Sequence, residues 1–261
     1  MIPKVIHYCW FGRNPLPPLA IKCIESWKKY LPDYEIKEWN EDNFDVNAIA
    51  YTKEAYEAKK YAFVSDYARF WILYNYGGIY FDTDVEVIKP MNDLIARGAW
   101  MGYEFTLSTN YINGAINPGL GMGCSAYSEI LNDLLKTYSN LHFQRNGRLN
   151  LKTIVAYTTE TFIARGLEIR DGVQECCGFT IYPPEYFNPL DGKKKQVILT
   201  NNTYSIHHYM ASWGTKKTHG NIIKYVKEKI LMPLLPDFFK DKILREKKRK
   251  KEMYLQNYFR D

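Results

Sequence analysis

The chain has few cysteines and no long apolar segment, and these two absences exclude several classes of protein. Its five cysteines form no C-x-x-C pair, so neither a zinc site nor a disulfide framework is indicated. The longest uninterrupted apolar run is the five residues Phe70–Tyr74, far short of a membrane span. The opening "MIPKVIHYCWFG" lacks the apolar region of a signal peptide. We therefore expect a cytoplasmic protein with reduced thiols.

Internal repeats and a dinucleotide-binding fingerprint are also absent. The glycines of 119–123, "GLGMG", lack the G-x-G-x-x-G spacing and instead indicate a close approach of the backbone to another group. The formal net charge of +6 is concentrated in residues 216–261, which hold 14 Lys or Arg against 6 Asp or Glu. The preceding body is close to neutral. A nucleic-acid-binding protein that uses the basic tail is therefore one alternative.

The order of elements in the first ninety residues indicates an α/β fold. The predicted strands and helices are, in order, strand 5–11, helix 19–30, strand 34–39, helices 55–60 and 61–76, and strand 77–87. Such alternation is typical of a parallel sheet covered by helices on both faces, with ligands at the carboxyl ends of the strands. We predict a single Rossmann-like domain with a mostly parallel central sheet.

The second half of the chain has a weaker pattern. Ser125 is the expected N-cap of a helix with the sequence "AYSEILNDLLKTY". Residues 141–200 are predicted to be loops with short strands, and residues 203–213 a strand that runs into a loop.

The strand predicted at 77–87, "GGIYFDTDVEV", carries acids at every second position. Alternation would place Asp82, Asp84 and Glu86 on one face and the apolar side chains on the other. Neighbouring acids would then be about 7 Å apart, and their repulsion would cost about 1–2 kcal/mol. A bound cation would remove this cost, whereas solvent would only screen it. A metal-dependent phosphohydrolase that uses Asp82 and Asp84 is a second alternative.

The helix predicted at 61–76 contains only two charged residues, Asp66 and Arg69, spaced to share one face. A helix that is apolar almost all round is buried, and a buried ion pair is costly without further partners. Two interpretations are open. The pair bonds only to itself, or both residues point at the mouth of the sheet, where Arg69 meets an anion and Asp66 accepts hydrogen bonds from hydroxyls.

These residues lie in a longer string that resembles a known family. "SDYARFWILYNYGGIYFDTDVEV" is similar to the donor site of the DXD-type glycosyltransferases of family 32, an arrangement that also occurs in the glucosylating domains of large clostridial toxins. The segments "IPKVIHYCWFG", "PDYEIKEWNEDN" and "IHHYMASW" resemble the same family. The similarity is dense over residues 1–90. The 16-residue spacing from Asp66 to Asp82 makes it far more specific than an isolated D-x-D.

The resemblance implies a GT-A fold, a UDP- or GDP-sugar donor, a divalent cation (Mn²⁺ or Mg²⁺), and transfer with retention at the anomeric carbon. It implies that Asp84 and Asp82 bind the metal and that Asp82 also holds ribose and sugar hydroxyls. Asp66 and Arg69 would bind the donor sugar, and these four are the candidate catalytic residues. A hard cation can neutralise the diphosphate leaving group, so no Ser-His-Asp arrangement is needed.

Other positions that match the family extend the predicted donor site. Trp10 would stack on the nucleotide base, and His207 would contact the metal or the diphosphate. Ser212 and Trp213 would close over the donor. The remaining candidates for donor contacts are Tyr80 and Asn113.

The resemblance also suggests how the chain is organised. We expect a catalytic domain at 1–215 and a basic helical extension at 216–261, which either contacts an anionic membrane or packs on the domain. Bacterial relatives commonly build capsular or lipid-linked polysaccharide. This implies a saccharide or lipid-linked acceptor, no nucleic-acid partner, and a position at the inner face of the cell membrane. Residues 156–162, "AYTTETF", depart from the family, in which a Gly-Pro turn is expected, and leave the acceptor side open.

Overall fold

The computed structural model describes residues 1–104, 115–168, 170–191 and 196–210. The elements of the first half are β1 (Val5–Cys9), α1 (Pro18–Tyr30), β2 (Glu35–Trp39), α2 (Ala50–Glu57), α3 (Tyr61–Tyr76), β3 (Gly78–Tyr80), β4 (Val85–Val87), α4 (Asn92–Ile95) and β5 (Ala99–Gly102). Those of the second half are β6 (Met122–Cys124), α5 (Glu129–Ser139), β7 (Gln144–Arg145), β8 (Arg148–Leu149), α6 (Ile154–Ala164), β9 (Gln174–Cys176), β10 (Phe179–Tyr182), β11 (Leu190–Asp191), β12 (Gln196–Val197) and β13 (Ser205–His207). Among these helices, none combines the length and apolar character that crossing a membrane requires.

A seven-stranded sheet organises the described part of the chain, with the strand order β2-β1-β3-β6-β5-β10-β9. β1 pairs in parallel with β2 and β3, and β5 pairs in parallel with β10. β6 and β9 are antiparallel to their neighbours. Five of the seven strands therefore run in one direction, which confirms the predicted α/β class with a mostly parallel sheet.

Helices cover both faces of the sheet because the side chains of β1 alternate. Tyr8 faces α1, where its ring meets the buried Trp27 at a centroid distance of 5.8 Å. His7 faces the other side, where its Nε2 lies 3.0 Å from the Gly77 carbonyl oxygen at the end of α3. The two helices that flank β1 thus bury opposite faces of the same strand.

Two glycines make the sharp connection from α3 to β3. Gly77 ends the helix with a φ of 65°, and its N–H donates to the Leu73 carbonyl. Gly78 has a φ of 103°, and a Cβ atom there would lie 2.7 Å from the Val5 carbonyl oxygen. Glycine tolerates this backbone and this approach, so β3 can begin directly beside β1. The acids that follow β3 are thereby brought to the edge at which β1 ends.

The single strand predicted at 77–87 is wrong, since a turn divides it into β3 and β4. The Val85 N–H donates to the Asp82 carbonyl over 3.0 Å, and β4 then pairs antiparallel with β13. The turn takes β4 out of the large sheet, so the three acids do not share one strand face. The burial predicted for the apolar positions is correct for Ile79, Phe81, Val85 and Val87.

Two further predictions need correction, and both fall in the second half. The N-cap of α5 is Ser128 and not Ser125. The prediction of loops over 141–200 misses α6, which includes 156–162. α6 has no clear polar face, because its residues from Ile154 to Thr159 are all buried, and so its sequence lacks an amphipathic period. The predicted basic extension at 216–261 lies outside the described residues.

Candidate active site

Four segments of the chain meet at one edge of the sheet. Trp10 follows β1 and Asp82 lies just after β3, so the parallel pairing of these strands places both at this edge. Glu104 lies just after β5, which runs in the same direction. Asn117 and Gly119 precede the antiparallel β6 and therefore lie at this edge as well. The carboxyl ends of parallel strands are where α/β sheets bind their ligands.

Asp82 is held by groups from α3 and β3. Arg69 Nη1 lies 3.1 Å from Asp82 Oδ1 and 3.3 Å from Oδ2. The Tyr80 hydroxyl donates to Asp82 Oδ1 over 3.1 Å. Gly119 packs so closely that a Cβ atom there would lie 2.3 Å from Asp82 Oδ2. This contact agrees with the close backbone approach that the glycine-rich segment predicts.

The pair of Asp66 and Arg69 is buried and does not bond only to itself. Arg69 Nη2 lies 3.2 Å from Asp66 Oδ1, its Nε donates to the Ser65 carbonyl, and its third nitrogen reaches Asp82. Burial raises the pKa of Asp66 to about 7, although the charge of Arg69 opposes the change. Burial alone would lower the pKa of Arg69, but Asp82 and its neighbours raise it, so Arg69 stays charged. The structure thus favours the interpretation in which Arg69 reaches the edge of the sheet.

Asp84 is held by β13, which pairs with β4, and by the residues that follow β13. His207 Nε2 lies 3.1 Å from Asp84 Oδ1, and the Met210 N–H donates to Oδ2 over 2.7 Å. Burial would raise the pKa of Asp84, but His207 and the Met210 N–H outweigh it and lower the pKa to about 2. Burial would likewise lower the pKa of His207, but the charge of Asp84 raises it.

The donor atoms of Asp82, Asp84 and His207 could hold a divalent cation. One ligand atom from each residue lies within 4.8 Å of the others, and Asp84 and His207 are buried. Carboxylate oxygens suit Mg²⁺ and Mn²⁺, and an imidazole nitrogen is accepted by transition metals. Neighbouring ligands on an octahedral ion at 2.0–2.1 Å are about 3 Å apart, close to the separation of Asp84 and His207. The residues therefore fit the predicted metal.

The third acid, Glu86, belongs to a different set of contacts. Its Oε2 lies 2.9 Å from Lys22 Nζ and 2.8 Å from His208 Nε2, on a partly exposed part of the surface. Lys22 can neutralise its charge without a metal.

The remaining predicted residues differ in what the structure says of them. Trp10 is partly buried and donates through Nε1 to the Asn14 carbonyl, which leaves its predicted stacking on a base as a prediction. Tyr80 is 1% exposed, and the guanidinium of Arg69 lies 4.8 Å from its ring. Tyr80 therefore positions Asp82 and Arg69, and its predicted donor contact stays untested. The predicted residues outside the described part of the chain are Asn113, Ser212 and Trp213.

Sequence reasoning missed Glu104 and Asn117. Asn117 Nδ2 donates to Glu104 Oε2 over 2.8 Å, and its Oδ1 accepts from the Gly119 N–H over 2.7 Å. The glycine-rich segment signalled this approach, but nothing in the sequence pointed to Glu104.

A comparison with protein families agrees with this site. Residues 17–100 match the model of the glycosyltransferase sugar-binding region containing a DXD motif. The chain carries a DXD-type glycosyltransferase region. The predicted resemblance to DXD-type glycosyltransferases is thereby confirmed for residues 17–100, a range that includes Asp66, Arg69, Asp82 and Asp84.

Two curated relatives are similar over part of their length. The chain is 28% identical over 146 residues to inositol phosphoceramide mannosyltransferase 3 of Schizosaccharomyces pombe, which is 54% of this chain and 40% of that protein. It is 33% identical over 128 residues to an uncharacterized glycosyltransferase of Acanthamoeba polyphaga mimivirus, which is 44% of this chain and 49% of that protein. The chain thus spans less than half the length of either relative.

Two solved structures are also similar. The PaToxG glycosyltransferase has a TM-score of 0.48 and 21% identity, over 62% of this chain and 69% of that one. A glycosyltransferase involved in the glycosylation of the major capsid of PBCV-1 has a TM-score of 0.46 and 13% identity, over 85% of this chain and all of that one. Both TM-scores are below 0.5, so the fold assignment depends on the sheet topology of this chain.

Proposed function

We propose that the protein transfers a sugar from a nucleotide-diphosphate sugar to a hydroxyl of an acceptor, with the help of a divalent cation. The observation that carries this proposal is the convergence of Asp82, Asp84 and His207 beside the buried cation of Arg69. Two acids and an imidazole at one edge of the sheet suit a metal–diphosphate, and the family match supports a nucleotide sugar as the donor.

Each side chain has a distinct part in this reaction. Asp82, Asp84 and His207 would hold the cation, which when bound would supply positive charge to the departing diphosphate. Arg69 keeps Asp82 in place and presents a buried positive charge at the same edge. Asp66, whose second oxygen accepts no hydrogen bond from the described residues, can bind a sugar hydroxyl. Trp10 at the end of β1 would take the base.

The class of donor and acceptor is proposed from relatives. The name of the fission-yeast relative supports a mannosyl donor and a hydroxyl on a lipid-borne inositol phosphate. A saccharide acceptor in surface polysaccharide synthesis, transfer with retention, and a place at the cytoplasmic face of a membrane follow from the family resemblance.

A donor panel tests the proposal. The protein is incubated with UDP- and GDP-sugars, with phosphatidylinositol or an oligosaccharide as the acceptor, and with Mn²⁺, Mg²⁺ or EDTA, and release of the nucleoside diphosphate is measured. We expect release from one class of donor that requires the metal and stops with EDTA. Proton NMR of the anomeric signal of the product then tests retention. No release from any donor with either metal contradicts the proposed function.

The same protein can be tested for the two alternatives. A nucleic-acid binder would be stabilised in thermal unfolding by oligonucleotides in a salt-dependent way, whereas a transferase responds to UDP or GDP only with metal. A phosphohydrolase would release phosphate from simple phosphate esters.

Membrane contact through residues 216–261 is a separate proposal. Co-sedimentation with phosphatidylglycerol vesicles compares the full chain with a protein that ends at Thr215. We expect only the full chain to pellet at low salt, because its basic residues are attracted to anionic lipid, and we expect high salt to release it. If both proteins stay in the supernatant, the tail does not contact membranes.

A further inference from the structure

Glu104 stands at the candidate site with a fixed backbone and a carboxylate that is only partly satisfied. Its N–H donates to the Ala115 carbonyl over 3.0 Å, and its own carbonyl accepts from the Asn188 side chain. Its carboxylate accepts one hydrogen bond, from Asn117 Nδ2. A carboxylate has about four acceptor positions, and among the described residues no other donor and no ion pair fills them.

The surroundings of Glu104 disfavour its charge, and His207 is near enough to interact with it electrostatically. Burial raises its pKa to about 7, and the hydrogen bond from Asn117 and the charge of His207 offset this only partly. The ionisable groups that sense its charge are His207 and Tyr209. A partly buried acid that has no ion-pair partner among the described residues gains most from a ligand that donates a hydrogen bond.

The sheet order decides which part of a nucleotide sugar Glu104 can meet. Trp10 follows β1 at one end of the edge, Asp82 follows β3 in the middle, and Glu104 follows β5, two strands further along. Two strand spacings are about 10 Å, roughly the length of a sugar with one phosphate oxygen. With the base at Trp10 and the diphosphate at Asp82, the sugar lies toward Glu104.

A continuous chain of contacts also joins Glu104 to the donor side. Asn117 links Glu104 to Gly119, and Gly119 lies against Asp82 and Arg69, since a Cβ atom there would be 3.2 Å from Arg69 Nη1. A sugar above Gly119 would have Arg69 on one side and Glu104 on the other.

We propose that Glu104 binds a hydroxyl of the transferred sugar, with Asn117 as the residue that positions it. This inference depends on the proposed function, because it assumes a nucleotide-sugar donor. It assigns to Glu104 a share in the choice of sugar, and it assigns none in the binding of the nucleoside diphosphate or the metal.

The test separates sugar binding from diphosphate binding. Glu104→Gln is compared with the wild type for the KM of the donor found in the panel and for the Kd of the matching UDP or GDP with Mn²⁺. We expect the KM to rise at least tenfold and the Kd to change less than twofold. Glu54→Gln is the matched control. Glu54 lies on α2 and contacts none of the candidate site residues, and its carboxylate contacts His142 Nδ1 and accepts from the Gln144 N–H. This control should change neither constant.

Deoxy donors give a second measurement that a purely structural role would not affect. Donors that lack one sugar hydroxyl at a time are compared in the wild type and in Glu104→Gln. One deoxy donor should be turned over equally by both proteins, because its missing hydroxyl is the one that Glu104 binds.

Three outcomes would overturn the inference. The first is an unchanged KM in Glu104→Gln. The second is a loss of UDP or GDP affinity as large as the rise in KM, which would indicate a role in holding the metal residues. The third is that Glu104→Gln slows the turnover of every deoxy donor by the same factor. If the wild type itself binds neither UDP nor GDP with Mn²⁺, the proposed function fails, and this result is distinct from the other three.

Discussion

The two aspartates of the D-x-D motif are held by different kinds of group from different parts of the chain. Asp82 is bound by Arg69, a permanent cation on α3 that lies 13 positions earlier in the chain. Asp84 is bound by His207 and the Met210 N–H, more than 120 positions later. The side-chain partners of Asp82 thus lie within the first ninety residues, while those of Asp84 reach it only when β13 pairs with β4.

This difference bears on how a metal enters. Arg69 cannot lose its proton and keeps Asp82 oriented whether or not an ion is bound. His207 can lose its proton and turn from an ion-pair partner of Asp84 into a ligand beside it. We infer that the Asp82 side is the fixed part of the site and the Asp84 side the part that changes when metal binds.

The largest effect should come from removing Asp84. Asp84→Ala and Asp84→Asn both take away a charged ligand, and metal stabilisation of a leaving group is worth several kcal/mol, so we expect at least about a hundredfold loss of turnover. Turnover above about a tenth of the wild type would contradict a ligand role.

The two Asp84 variants should differ in stability. Asp84→Asn can still accept from the Met210 N–H, whereas Asp84→Ala leaves that donor and His207 without their partner. We expect Asp84→Ala to be less stable in urea unfolding. Mere relief of repulsion between acids would instead make both variants as stable as the wild type or more so.

On the other side of the comparison, Arg69→Lys should be nearly as damaging as Arg69→Ala. A lysine ammonium cannot contact Asp66, Asp82 and the Ser65 carbonyl together, as the planar guanidinium does. Breaking such a buried pair costs about 3–5 kcal/mol of unfolding free energy. Urea unfolding and the affinity for UDP or GDP with Mn²⁺ are the measurements.

Arg165→Lys is the control for this substitution. Arg165 pairs with Asp133 at an exposed position, where an ion pair contributes about 1 kcal/mol or less. If Arg69→Lys keeps full diphosphate affinity, Arg69 acts as a point charge only.

Sequence reasoning succeeded where local chemistry determines the structure. The end of α3 follows from Gly77 and Gly78, and the parallel sheet follows from the alternation of strands and helices over the first ninety residues. The convergence of Arg69 with Asp82 follows from the same short segment, because α3 leads directly into β3.

The features that were missed depend on contacts between distant parts of the chain. The turn between β3 and β4 exists because β4 pairs with β13, which no local pattern reveals. α6 is helical because it is buried against α5, although its β-branched residues favour strands. Glu104 looks like any acid after a strand until Asn117 is brought to it by the pairing at Tyr103 and Ile116.

The two sides of the site should also respond to pH in opposite directions. The pKa of Asp66 is raised to about 7, so between about pH 4 and 7 Asp66 is protonated in the folded protein and ionised in the unfolded one. The contribution of Asp66 to stability therefore falls as the pH rises through this range. The pKa of Asp84 is lowered to about 2, so its contribution is present above about pH 4 and is lost as the pH falls toward 2.

Asp66→Asn tests this directly. Urea unfolding at pH 4, 5.5 and 7 in EDTA should show that the variant gains stability relative to the wild type as the pH rises, by about 1 kcal/mol or more in total. Because His207 and the other titrating groups are present in both proteins, their effects cancel when the two free energies of unfolding are subtracted. A difference that stays constant with pH would mean that Asp66 remains charged in the folded protein.

The smallest effect is expected for Glu86, the third acid of the row. Its carboxylate is held by Lys22 and His208 at a partly exposed position, and His208 contacts Asp84 through its backbone N–H, which donates to the Asp84 carbonyl oxygen and not to its carboxylate. Glu86→Gln should therefore change turnover and the Mn²⁺ requirement less than twofold, and should lower stability by about 1 kcal/mol or less. Metal-dependent release of UDP or GDP measures the change in turnover, and urea unfolding measures the change in stability.

Glu86 shares the alternating sequence pattern of the two aspartates but not their contacts in the structure. The variant therefore tests whether the sequence pattern or the structural contacts determine the role of an acid. A loss of turnover as large as that of Asp84→Ala would show that all three acids act as one set, and that the turn after Asp82 does not divide them.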